Sequence, residues 1–122
     1  MLPAEHRLRR STDFQRVTRS GSRASCGSVV VHLLIGTGQA EVGRAPQVGF
    51  TVGKGVGGSV VRHRVARRLR ASLGPILQTL PGGTLMVVRA QPSAGTAASS
   101  ALRRDVEIAL HAALKKAPRR SR

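Results

Sequence analysis

Apolar positions along the chain follow two rhythms. Residues 28–35 are almost continuously apolar and β-branched, which predicts a strand. Alternation puts Val29, Val31, Leu33 and Ile35 on one side and Ser28, Val30, His32 and Leu34 on the other. Residues 47–52 form a second strand, with Val48, Phe50 and Val52 on one face. Residues 84–90 form a third, apolar throughout and so expected to be buried. A helical rhythm takes over twice. Over 59–73, Val61, Val65, Leu69 and Leu73 recur every fourth residue with Ala66 beside them, and Gly74-Pro75 predicts the end. Over 99–115, Leu102, Val106, Leu110 and Leu114 recur in the same way beside Ala109 and Ala113. Lys115 and Lys116 suit the C-terminal end of that helix. A shorter helix is expected over 12–19, capped by Ser11, with Asp13 in its first turn, Phe14 and Val17 as its apolar residues, and Gly21 as its stop. Residues 53–58 read as a flexible glycine loop, and 36–39 and 81–83 as turns.

Charge changes the picture most. The chain has 122 residues, with 21 Lys+Arg against 5 Asp+Glu, a formal net charge of +16. That length fits one domain with a modest core, here 1–122 with its folded part at about 5–115 and a basic tail over 117–122 expected to be disordered. A surplus of this size attracts polyanions, nucleic acid first and an anionic membrane surface second. Eighteen of the cations are Arg and three are Lys, as a GC-rich genome would favour, but that bias does not explain five acids. The single cysteine, Cys26, excludes an internal disulfide and argues against a thiolate zinc site. His6, His32, His63 and His111 lie far apart, and no metal site is expected. No apolar run is long enough to span a bilayer. Glu5, Asp13, Glu41, Asp105 and Glu107 are too scattered to suggest acid–base or two-metal chemistry, and no nucleophile–base motif is present. No catalytic residue is assigned. The Arg-rich N-terminus superficially suits a transit peptide.

The helix over 59–73 is the most informative stretch. Its wheel sets His63, Arg64, Arg67, Arg68 and Arg70 opposite the apolar stripe, with Arg62 off that arc in the first turn. Solvated faces usually mix signs to gain i,i+4 pairs, and this one holds no acid. Like charges so stacked oppose folding until a polyanion neutralises them. The stripe is narrow and lacks aromatics, which disfavours a lipid surface. Ahead of the helix, glycines open backbone N–H groups to phosphate oxygens, and Lys54 adds a point charge. The glycine spacing and the residue after Lys54 do not fit a nucleoside-triphosphate loop.

Residues 48–70, running from Val48-Gly49-Phe50 through Lys54 to Val60-Val61-Arg62-His63-Arg64-Val65-Ala66-Arg67-Arg68-Leu69-Arg70, resemble the signature of the bacterial ribonuclease P protein subunit. The family reads strand, Lys-containing glycine loop, then Ala-Val-x-Arg-Asn-Arg-x-Lys-Arg-x-x-Arg. Residues 7–17 resemble its first helix, Arg89 and Pro92 its later strand, and the last helix agrees in place. The likeness covers about 5–115, which gives the N-terminal segment a structural place and removes the transit-peptide reading. The resemblance implies an α/β (α+β) sandwich of order α-βββ-α-β-α, ribosomal-protein-like. Its four-stranded, mostly antiparallel sheet would contain a left-handed βαβ crossover. The fourth strand would lie around 22–27 or arise from a break within 28–36.

The resemblance also implies roles. A catalytic RNA subunit with Mg²⁺ at its active site removes the 5′ leader of precursor tRNA, and one copy of the protein assists. The protein itself would bind no cofactor, act in the cytoplasm, and need neither a membrane nor a protein partner. Lys54, Arg62, His63, Arg64, Arg67, Arg68 and Arg70 would meet the RNA subunit. Phe14, Arg10, Arg16, His32 and Arg89 would meet the leader, in a cleft between the first helix and the sheet. Departures from the pattern stand out: His63 replaces the signature Asn, Ala66 the Lys, Gly55 a second loop lysine, and Thr18 and His32 two cleft aromatics. With no Tyr or Trp and two Phe, few bases can be stacked. A basic structural protein of ribosomal or nucleoid type shares the charge, but not the ordered loop and helix signature.

Overall fold

The structure is a computed structural model that describes residues 7–8, 10–35 and 45–116. In chain order come α1 (Ser11–Ser20), β1 (Ser22–Cys26), β2 (Val29–Leu34), β3 (Gln47–Val52), α2 (Ser59–Leu77), β4 (Leu85–Ala90) and α3 (Ser99–Lys116). Short 3-10 turns cover Lys54–Val56 and Pro92–Gly95. The strands form one mixed sheet in the order β1-β2-β4-β3. The β1–β2 and β2–β4 pairs are antiparallel, while β3 and β4 run parallel, joined through α2.

Both faces of the sheet are covered, so β2 is buried along its whole length. Val29, Val31 and Leu33 join Met86 and Val88 beneath α2 and α3. Leu34 and Val87 face the other way, against Leu8 and Val17 under α1. Each fully buried Leu or Val contributes about 1.5–3 kcal/mol relative to exposure. The larger core lies on the α2–α3 side and holds those two helices rigidly to the sheet.

The structure corrects three expectations. First, α1 starts at Ser11 itself. Arg10 holds the N-cap position in an extended conformation, and no side chain caps the helix. Second, α2 does not stop at Gly74-Pro75 but runs to Leu77. The i+4 stripe continues through Leu77, which is buried with Leu69 and Leu73. Pro75 removes a bond to the Ala71 carbonyl, but both residues are exposed, where water can serve that carbonyl. Third, the glycine loop is not featureless. The Val56 N–H donates to the Gly53 carbonyl at 3.1 Å, and that of Gly57 to the Lys54 carbonyl at 3.2 Å. Val56 is buried, and Gly57 turns the chain into α2 at φ 153°.

The fourth strand is β1, at the first of the two places expected. The β1–β2 turn uses Gly27 at φ 53°, where a Cβ would collide with the Asp105 carboxylate of α3. That carboxylate accepts the Ser28 N–H at 3.0 Å. The 36–39 turn and the tail from 117 lie outside the described residues.

Candidate nucleic-acid interface

The basic face of α2 divides into two rows. Arg64 and Arg68, one turn apart, lean toward the segment that leads into α3. Arg64 Nη2 donates to the Gly95 carbonyl and Arg68 Nη1 to the Ala97 carbonyl, both at 3.0 Å. Gly95 must be glycine here, because a Cβ would strike the Val56 carbonyl oxygen. The two arginines therefore tie α2, the glycine loop and the start of α3 into one platform. Arg62 is half-buried, with its Nε unpartnered and out of solvent.

The second row faces solvent. His63, Arg67 and Arg70 are exposed, and Lys54 is exposed in the 3-10 turn before the helix. The Arg70 guanidinium lies 6.0 Å from the centroid of the Phe50 ring. That contact holds one cation at the β3 edge of the platform. Exposed guanidiniums without a carboxylate in the same helix suit a phosphate backbone. Arg67 and Arg70 present that chemistry directly, whereas Arg64 and Arg68 already spend a donor each on the protein.

The other face of the sheet carries the second group. Phe14 packs half-buried from α1 against the cluster of Leu8, Val17, Leu34 and Val87, as Leu85 does from β4. It therefore belongs in part to the small core under α1. Thr18 turns back on its own helix, donating to the Phe14 and Gln15 carbonyls at 3.0 and 3.2 Å. Arg10 at the N-cap of α1, Arg16 on α1 and Arg89 on β4 are exposed. His32 is not an open stacking surface: it is only 5% exposed. Burial, then the charges of Arg89 and Arg23, push its imidazole below the ordinary value.

Arg23 is a member of this group that sequence reasoning missed. It sits on β1 directly across from His32. The buried–exposed alternation of Ser22–Cys26 carries the signal, but the segment has small polar residues where strands usually have β-branched ones.

The family model for ribonuclease P matches residues 2–114. The chain belongs to the ribonuclease P protein family. The ribonuclease P protein component of Beutenbergia cavernae is 48% identical over 110 residues, covering 90% of this chain and 89% of that one. The component from Streptomyces griseus is 47% identical over 114 residues, covering 90% and 93%. The fold is that of the Staphylococcus aureus ribonuclease P protein, at TM-score 0.74 and 20% identity over 88% of this chain and 94% of that one. It is also that of the Thermotoga maritima ribonuclease P protein, at TM-score 0.67 and 18% identity over 89% and 96%. As a family member the chain is the protein component of an endoribonuclease of tRNA 5′ processing and works with an RNA subunit. The reading as a ribosomal or nucleoid protein is not favoured.

Nothing among the described residues suits a resident metal. No three His, Cys, Asp or Glu gather there. Asp105 is engaged with the β1–β2 turn, Asp13 lies on α1, and Glu107 points outward from α3. No described helix is long and apolar enough to cross a membrane.

Proposed function

We propose that this ribonuclease P protein uses its two sheet faces for two RNAs. The α2 face, through Lys54, His63, Arg67 and Arg70 with Arg62 beside them, binds the catalytic RNA subunit. Arg64 and Arg68 hold the platform and add their remaining N–H groups to its rim. The α1 face, through Arg10, Phe14, Arg16, His32 and Arg89, receives the 5′ leader of precursor tRNA. The protein binds no cofactor of its own, and Mg²⁺ serves the reaction at the RNA. One protein acts with one RNA subunit, in the cytoplasm.

The observation that carries this reading is the exposed, carboxylate-free row on α2, set on a helix whose buried stripe fixes it to the sheet. Neutralising such a row with phosphates releases counterions and strengthens binding steeply at low salt. The test is reconstitution with a bacterial ribonuclease P RNA at low Mg²⁺, following precursor tRNA cleavage. Stimulation by the protein is expected; none at any protein-to-RNA ratio overturns the reading.

A further inference from the structure

Three cationic or titratable side chains leave the α1 face of the sheet beyond Phe14. Arg23 on β1 pairs directly with His32 on β2. Arg89 on β4 lies diagonal to His32, two residues beyond its partner Val87. Directly opposed and diagonal side chains lie within about 5–8 Å of each other. Both arginines are exposed, and His32 is buried between them.

The histidine is incomplete as it stands. Its Nδ1 and Nε2 are both out of solvent, and neither has a hydrogen-bond partner. A neutral imidazole carries one donor and one acceptor, and natural proteins seldom leave both unmet. The charges acting on the ring are Arg89 and Arg23, and both oppose its protonation. α1 packs over the same face and carries Asp13, Arg16 and Arg19, with Arg10 at its N-cap. β3 contributes Gln47, Gly49 and Thr51, none of them titratable, and Arg7 bridges to its edge. Two guanidiniums around a ring with two unpartnered nitrogens suit an anion that can accept from all three.

We propose that Arg23, His32 and Arg89 bind one RNA phosphodiester, and that His32 takes a proton from solvent as the phosphate seats. The proposal rests on the reading of the α1 face as the leader cleft. The long side chains of Arg23 and Arg89 swing to admit the phosphate and donate to its oxygens. The anion offsets one of the two guanidinium charges that oppose protonation of the ring. Protonated, both imidazole nitrogens are donors, and one of them bonds a phosphate oxygen. A phosphodiester keeps its single charge from pH 5.5 to 8, so the histidine is the group at this site that titrates. Because binding takes up a proton, leader affinity rises as pH falls, by at most about tenfold per pH unit.

The experiment compares two RNAs and two proteins. The reconstituted holoenzyme is titrated with precursor tRNA and with leaderless tRNA between pH 5.5 and 8. The ratio of the two affinities removes pH effects at the RNA-subunit interface, including those of His63. For the unsubstituted protein the ratio should grow several-fold toward acid pH. In His32→Gln, which cannot take the proton, it should be flat. NMR titration of the His32 ring, with and without a short single-stranded RNA, needs no variant. The RNA should raise the pH at which the ring titrates. A flat ratio in the unsubstituted protein, a pH-dependent one in His32→Gln, or a ring unmoved by RNA overturns the proposal. A precursor preference without pH dependence sinks this site alone, while no precursor preference at any pH sinks the leader reading itself.

Discussion

The ring of Phe14 on α1 rests on the bare backbone of Gly49 on β3, so closely that a Cβ at position 49 would overlap it. The missing side chain gives the ring its room at the β3 side of α1. Gly49→Ala should destabilise the protein by roughly 1–3 kcal/mol, because the ring must shift from a packed site. In a Phe14→Ala background most of that loss should vanish, and a double-mutant cycle of thermal melts checks the coupling. In the holoenzyme, Phe14→Ala should also reduce discrimination of precursor from mature tRNA. If only the melting temperature falls, the ring serves the α1 core alone.

Arg67 and Arg68 are neighbours in sequence and should behave oppositely. Arg68→Ala removes a charged donor from the Ala97 carbonyl and should cost about 1–3 kcal/mol of stability. Arg64→Ala should do the same at the Gly95 carbonyl. Arg67→Ala should leave the melting temperature within about 0.5 kcal/mol equivalent, since its side chain is exposed. It should instead weaken binding of the RNA subunit and lower the slope of log affinity against log salt by about 1. Paired melting and binding titrations separate the two rows.

Asp105 on α3 holds the turn between β1 and β2. Asp105→Ala should cost about 1–3 kcal/mol, because it strips the Ser28 N–H of its partner at a half-buried site. Hydrogen exchange at the Ser28 amide should rise in the same variant, while the amides of β3 stay protected.

Two groups set opposite pH limits on stability. Burial and the two flanking arginines push the His32 imidazole below its usual 6.5. The unfolded chain then binds more protons at acid pH, so this contribution is full above about pH 6.5 and is lost as pH falls through the lowered value. Burial, then the charge of Asp105 and a contact with it at 3.7 Å, push the Cys26 thiol above its usual 9.0. Its contribution is full below that value and is lost as pH rises through the raised one. Melts across pH should show His32→Phe flattening the acid limb and Cys26→Ser the alkaline limb. His32→Phe should also raise the melting temperature at pH 7, since it removes two unsatisfied buried nitrogens.

Much of this arrangement was legible in the order of residues. β-branched runs marked β2, β3 and β4, and fourfold spacing marked the buried stripes of α2 and α3. The lack of acids in α2 marked a helix face suited to a polyanion, and the order of the motifs marked the family. The strand at 22–26 was harder, because Ser and Ala say little about β structure without a neighbour to pair with. The end of α2 is not legible locally, because Gly74-Pro75 signals a stop that the burial of Leu77 outweighs.

Periodicity and charge alone thus determined which helix is basic, which side of it is buried, and that a polyanion suits its open face. Those features depend on neighbours three or four residues away. Which arginines remain free was decided only by tertiary structure. Arg64 and Arg68 look no different from Arg67 on a helical wheel, yet the carbonyls they hold come from about thirty residues along the chain. The same holds for Arg23, His32 and Arg89: three strands had to pair in one register before their charges shared a face.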